Sequence, residues 1–429
     1  MTTTEEAKPG TDRTVVVVLA LCALMLVAGF LLKGQCLAPE AFPEGHQYSR
    51  LCYNDIQPLY GIRSVADNVF PYVDGEFTAD HQLINGAVEY PVLTGVFLWF
   101  AGLFADDGNG YLRVSAILLA PFGLLTAYLL ARMTGWRALM FAASPAVIYY
   151  AFHNWDLLVV AAVVAGMWFW WKGRPVTAAV LFGVGAALKL YPILFVIPLV
   201  LERWMAGRGP EAKKAALAGG GTAVALNLPF ILINFSGWWA TYEFHRVRTA
   251  NYDSIWGLAS SRWGWSFIQM PTLNTTVAVL TAGTFLIALI YGWQKGRERG
   301  VYPFLQVSAA LLVAFLLWNK VHSPQYTLWL LPFFVLLRVN VLWWVAYTAV
   351  DSLAYVSIFK WFFDYVYEGE GIATPAYNGM VYAVWARAVL LLALIVVFMR
   401  SRSAMDPEPD ATADAFPSHP PPSLDPVGA

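Results

Sequence analysis

Asp55, within Cys52-Tyr53-Asn54-Asp55-Ile56, is placed to move a proton. It lies about twenty residues beyond the first apolar run, and residues 55–67 suit a short helix on a membrane surface. An Asp is ionised at neutral pH unless strongly desolvated, so a carboxylate held there can take a proton from a hydroxyl as general base. Asp is also a preferred helix N-cap, and spacing alone leaves both roles open. Glu89-Tyr90-Pro91 opens the next apolar segment. Pro suits a first helical turn and Glu the positive end of a helix dipole, while a second carboxylate at this surface can also bond the hydroxyls of a sugar. His153-Asn154-Trp155-Asp156 gathers an imidazole, an amide, an indole and a carboxylate at the end of another apolar segment. Polar groups at membrane depth are functional candidates; a helix cap with an interfacial Trp is the structural alternative.

Cations complete the set. Lys189 in Ala187-Leu188-Lys189-Leu190-Tyr191-Pro192, Lys320 in Asn319-Lys320-Val321-His322-Ser323-Pro324, and Arg246, Arg248 and Arg262 fall on separate segments. Lys189, Arg248 and Lys320 together suit a lipid phosphate, with His322 as a further donor. For each, snorkelling to ordinary headgroups is the alternative, and His322 beside Ser323-Pro324 also suits a helix cap. No metal or other cofactor is called for by these groups.

These residues need a membrane to position them. Of 429 residues, 59% are hydrophobic and 13% charged, against about 25% charged in soluble domains. A formal net charge of -1 gives no reason to expect nucleic acid as a partner. The run Val15 to Leu32 follows Lys8 and Arg13, is long enough to span a bilayer, and reads as a retained anchor. Further apolar segments lie near 88–104, 113–131, 138–152, 156–171, 176–190, 191–204, 215–233, 271–293, 302–318, 325–337, 340–358 and 379–399. Basic clusters at Lys172/Arg174, Arg203/Arg208/Lys213/Lys214, Lys295/Arg297/Arg299 and Arg400/Arg402 place those loops and both termini in the cytoplasm. Two cytoplasmic ends require an even number of crossings. The segment 138–152, short and interrupted by Ser144-Pro145, is therefore read as a half-span or broken helix lining the site, leaving about twelve transmembrane helices.

The expected organisation is an all-α polytopic membrane protein: a cytoplasmic tail at 1–14, a membrane domain at 15–400, and a disordered tail at 401–429 with seven prolines. Residues 34–87 and 234–270 form extracytoplasmic loops, the first carrying seven acidic residues against Arg50 and Arg63. A connection that long is functional or disordered. Cys36 and Cys52 share this oxidising loop and are candidates for a disulfide. No Walker A, Gly-x-Gly-x-x-Gly or Cys-x-x-Cys pattern is present.

Read in order, Cys52-Tyr53-Asn54-Asp55-Ile56 with Tyr60, Glu89-Tyr90-Pro91, Ser144-Pro145, Asn154-Trp155-Asp156, Lys189-Leu190-Tyr191-Pro192, Asn227-Leu228-Pro229, Asp253-Ser254-Ile255-Trp256 and Ser323-Pro324-Gln325-Tyr326 resemble glycosyltransferase family 87. The resemblance covers roughly residues 15 to 400. It implies a GT-C-like fold and transfer of a hexose, usually mannose, from a polyprenyl phosphate to a glycan or glycolipid hydroxyl outside the cytoplasmic membrane. It further implies inversion at the anomeric carbon with Asp55 as general base; beside it, the placement of the residues themselves makes Lys189, Arg248, Lys320 and His322 candidates for the donor phosphate and Glu89, Asn154 and Asp156 candidates for sugar or acceptor contacts. The competing class is a polyprenyl-linked sugar flippase or secondary transporter, which would show inverted halves with interrupted segments in matching positions. No such halves are visible.

Overall fold

The computed structural model describes residues 11–37, 44–263, 272–369, 371–372 and 374–406. Among these, helices dominate, and the strand content is one hairpin, β1 (Glu76–Phe77) paired antiparallel with β2 (Leu83–Ile84). Six helices are long and apolar enough to cross a membrane: α1 (Asp12–Gly34), the run Gly108–Ala142 that contains α5 (Gly108–Thr134), α11 (Gly209–Ile233), α14 (Thr272–Arg299), α17 (Val341–Val366) and α18 (Pro375–Arg400). The expectation of about twelve transmembrane helices is corrected on this point: among the described residues six meet that length and apolarity. Other apolar helices are shorter: α4 (Val92–Gly102), α8 (Asp156–Trp171), α9 (Pro175–Leu188) and α15 (Phe304–Trp318). The chain is an all-α, multi-span membrane protein.

Local chemistry sets the helix ends. α1 starts at Thr11, whose hydroxyl accepts from the Thr14 amide, with Asp12 in its first turn and Lys33 in its last, matching the helix dipole. α16 (Thr327–Leu336) is buried at every position and forms the bundle axis, as expected of a helix apolar all round. Its last carbonyls are answered by one guanidinium: Arg137 donates to Phe334, Val335 and Leu337 at 2.9, 3.1 and 2.6 Å.

Two ends of the bundle can be told apart. At one, Arg132 pairs with Asp12 at 3.6 Å, Arg137 caps α16, and Ser403 bridges to Leu337, so both chain ends meet there. At the other, the loop end, Lys33 meets Tyr53 and His153. Residues 401–406 belong to the packed bundle, with Met405 buried; the rest of the segment read as a disordered tail, 407–429, lies outside the described residues.

Against this frame two segments exchange the behaviour expected of them. Residues 138–152 take the broken-helix form of the two expected, but they run the whole way from Arg137 at the terminal end to His153 at the loop end, as α6 (Leu139–Ala142) and α7 (Pro145–Tyr150). Ser144-Pro145 breaks the helix without stopping it, because Pro145 occupies a first turn and the Ser144 hydroxyl accepts from the Ala146 amide. The break is buried beside α1, where a side chain at Gly29 would sit 2.9 Å from the Ile148 carbonyl. Conversely, α4 starts beside Tyr90 and ends at Ala105, whose carbonyl accepts from Tyr60 at 2.7 Å, so both its ends lie at the loop end. Its 11 residues rise only about 16 Å.

The first long loop is compact. A Cys36–Cys52 disulfide, Cα to Cα 5.7 Å, ties it to the end of α1. α2 (His46–Ser49), α3 (Ile56–Ile62) and the hairpin follow. The second long loop packs on it through α12 (Phe235–Val247): the Asn234 amide donates to the Val73 and Gly75 carbonyls at 3.0 and 3.1 Å, and Gly237 sits so close to Tyr72 that no Cβ fits. α10 (Val196–Met205) and α13 (Ile255–Trp263) complete the helices.

Candidate active site

A cavity of about 1020 Å³ opens at the loop end, roofed by α12 and floored by Tyr191, Tyr326 and Trp329. Asp55, Glu89, Asn154, Lys189, Arg248 and Lys320 all line it. These residues come from segments spread over some 270 positions, brought together by the bundle ends.

Asp55 immediately precedes α3, yet its carboxylate makes no capping bond. Asn54 takes that task, its Oδ1 accepting from the Gln57 amide at 2.9 Å. The Asp55 backbone is fixed instead to the broken-helix segment, its N–H donating to the His153 carbonyl at 2.8 Å. Both carboxylate oxygens are held: Oδ1 accepts from the Tyr53 hydroxyl at 3.1 Å, and Oδ2 from Asn154 Nδ2 at 2.8 Å. The Asp55 charge and burial push the Tyr53 phenol well above its usual range, so it remains a neutral donor. Asn154 Nδ2 also donates to the Tyr90 hydroxyl at 2.8 Å. The result is an oriented acceptor group facing a cavity, the geometry a general base requires.

Behind this pair stands Lys33, in the last turn of α1. It is wholly buried. Its ammonium donates to the Tyr53 carbonyl at 2.7 Å and the Tyr355 hydroxyl at 3.0 Å, and lies 3.4 Å from His153 Nδ1. Lys33 thereby joins α1, α17, the Asp55 loop and the Asn154 loop at one point. An apolar helix that ends in one lysine reads as snorkelling, so no local signal marks this role.

The cations fall in different settings. Lys189 follows α9, lies 4.4 Å from the Tyr90 ring centroid and pairs with Asp156 at 3.7 Å. Asp156 does not line the cavity: it is fully buried at the start of α8, where Oδ1 also accepts from Trp329 Nε1 at 2.7 Å. The structure thus places Asp156 behind Lys189. Lys320 donates to the Arg246 carbonyl at 3.1 Å and to Asn274 Oδ1 at 2.7 Å, and burial together with Arg248 and Arg246 lowers its pKa to about 8. Arg248, at the end of α12, stacks over Phe244. His322 is not brought to the large cavity; its Nδ1 donates to the Leu316 carbonyl at 3.1 Å, and it lines a separate small void with Arg387. Arg246 pairs with Glu243 on the surface, and the Arg262 side chain lies outside the described residues. Glu89 is bound by Arg63 at 2.6 Å, with its carbonyl accepting from His245 at 2.9 Å.

A multi-span bundle whose loops close over a cavity holding one poised carboxylate and several cations defines a membrane-embedded, GT-C-like class of protein. The sequence model of glycosyltransferase family 87 matches residues 89–324, more than half of the chain, and the chain belongs to that family. It is also similar to GPI mannosyltransferase 1 of Saccharomyces cerevisiae (strain ATCC 204508 / S288c), 22% identical over 319 residues, which cover 66% of this chain and 77% of the yeast protein. Family membership supports a general glycosyltransferase activity.

Proposed function

We propose that this protein moves a hexose, mannose by family likeness, from a polyprenyl phosphate to a glycan or glycolipid hydroxyl at the extracytoplasmic face, with inversion. The observation that carries the reading is the Asp55 carboxylate, held through both oxygens at the wall of a cavity whose next residues along are Tyr90 and Lys189. In the step proposed, the acceptor hydroxyl gives its proton to Asp55 as its oxygen bonds to the anomeric carbon. The bond from that carbon to the phosphate oxygen breaks, and the electron pair leaves on polyprenyl phosphate. From a β-linked donor the product is an α-glycoside. Lys189, Arg248 and Lys320 would meet the negative charge gathering on the leaving phosphate, where preorganised cations lower the barrier most. Glu89 and Asn154 would contact sugar hydroxyls.

The same reading sets the topology. With both termini placed in the cytoplasm on the strength of the basic loops, twelve crossings would be made by the long helices together with the shorter α8, α9, α10, α15, α16 and the 135–152 segment, with α4 lying at the outer boundary. Asp55→Asn tests the chemistry. Transfer from polyprenyl-phosphate-mannose should fall by about 10²- to 10⁴-fold with donor binding retained, the usual loss on removing a general base. Near-normal turnover by that variant would remove Asp55 from the mechanism.

A further inference from the structure

The cavity has a second wall that the chemistry above leaves unused. Tyr48 on α2, Tyr252 in the loop before α13, and Phe362 on α17 all line it, backed by the buried Phe359. Their rings form a continuous surface: Tyr48 lies 5.6 Å from Phe362 and 6.3 Å from Phe359, and Tyr252 lies 6.5 Å from Phe362. Tyr48, Tyr252 and Phe362 keep part of their surface uncovered.

Where this wall stands decides what it can bind. Tyr48 stacks on Tyr53 at 5.3 Å, and Tyr53 donates to Asp55 Oδ1. On the opposite oxygen, Asn154 leads to Tyr90 and then to Lys189. Asp55 therefore sits at the join between an aromatic wall and a cationic one. If a sugar phosphate is held on the cationic side, the hydroxyl that attacks it must approach from the aromatic side to reach Asp55. Gln47, Asn251 and Asp253 line the cavity among these rings. Gln47 bonds Tyr48 and Asn251 bonds Asp253, and an isoprenoid chain would strip water from these polar groups without offering them any further hydrogen bond, at a cost in binding. A pyranoside suits both features, since its C–H face packs on the electron-rich face of an aromatic ring while its edge carries hydroxyls.

We propose that the acceptor binds here as a pyranoside, its apolar ring face against Tyr48, Tyr252 and Phe362 and its hydroxyls toward Gln47, Asn251 and Asp253. This assignment of the acceptor as a sugar ring, and of its subsite, rests on the transferase reading above. It makes the nucleophile a sugar hydroxyl presented by a saccharide, with any lipid portion of the acceptor held elsewhere.

The test uses the full chain in lipid nanodiscs, titrated calorimetrically with short methyl oligomannosides and other methyl pyranosides, and separately with polyprenyl phosphate. Wild type should bind at least one saccharide. Tyr48→Ala, Tyr252→Ala and Phe362→Ala should each weaken that binding about tenfold, the order of a lost stacking contact, while Tyr48→Phe keeps it and polyprenyl phosphate binds all variants normally. Saccharide binding unchanged in the three alanine variants, no saccharide bound by wild type, or polyprenyl phosphate binding lost in their place would each overturn the proposal. Transfer from polyprenyl-phosphate-mannose is scored on wild type in parallel. Failure of the transferase reading shows as absent turnover with saccharide binding intact; failure of the subsite shows as turnover whose acceptor KM is indifferent to Tyr48→Ala.

Discussion

Each cation of the cavity carries a different obligation, and single substitutions should separate them. Lys189 neutralises Asp156, so Lys189→Gln leaves a buried carboxylate without its cation, a change that costs roughly 3–5 kcal/mol in buried pairs. That variant should lose thermal stability as well as turnover, and adding Asp156→Asn should restore the melting temperature but not the transfer rate. Recovery of both would make the pair structural alone. Arg248→Gln should lower transfer about tenfold with stability unchanged, the scale of one charge-assisted hydrogen bond. Lys320 sets a pH limit. Its pKa, lowered to about 8, means that the ammonium is charged below that pH and neutral above it. Since a phosphate binds the charged form, kcat/KM for the donor should fall as pH rises through about 8, and Lys320→Arg should carry the limb to higher pH. A profile that stays flat beyond pH 9 would exclude Lys320 from the donor site. At this scale the members of the cavity were legible: Asp55, Glu89, Asn154, Lys189, Arg248 and Lys320, which stand out in the sequence as polar groups in or beside apolar segments, line one cavity. His322 and Asp156 were polar for other reasons, one bonded to the Leu316 carbonyl and one backing Lys189. Lys33, Tyr53 and the aromatic wall stayed hidden because their roles depend on partners remote in sequence, and an isolated Tyr or a helix-end Lys is ordinary.

Elements were harder to read than residues. Hydropathy left the paths of α4 and the 138–152 segment undecided, because an apolar stretch is equally suited to crossing a bilayer or lying along its surface, and because Ser144-Pro145 signals a break without saying whether the chain continues beyond it. The exchange preserves the parity of crossings, which is why charge placement alone could not expose it. Labelling can. A cysteine at Asp106, just past α4, should react with an impermeant thiol reagent on intact cells, and one at Trp136 should not. The opposite pattern would return α4 to the membrane. The native cysteines do not interfere, since Cys22 is buried and the other two are bonded to each other. That bond closes a loop with a sequence separation of 16, for which chain entropy suggests about 3 kcal/mol. Cys36→Ser with Cys52→Ser should accordingly lower the melting temperature of the purified protein, and an unchanged value would show that α1 and α17 hold the loop unaided.

On the scale of the whole molecule, the bundle is asymmetric in how it meets its surroundings. α16 is buried at every residue, whereas few residues of α11 and α14 are fully buried, as suits spans with one side to lipid. The hydrophobic composition foretold such a bundle but not which helix would be its axis, because both kinds are apolar all round. Lys33 ties together pieces made at very different times. Its contact with Tyr53 spans 20 positions and its contact with Tyr355 spans 322, while Asp55 waits on Asn154, 99 positions further on. Chains enter the membrane from the N-terminus at some 5–20 residues per second. On the proposed topology the Asp55 loop is therefore exported and bonded early, yet its anchoring is incomplete until α17 arrives. A polypeptide stalled or cut short before Tyr355 would leave a disulfide-closed loop without the support that α17 gives through Lys33, so the surroundings of Asp55 are completed only when a residue 322 positions beyond Lys33 has been made.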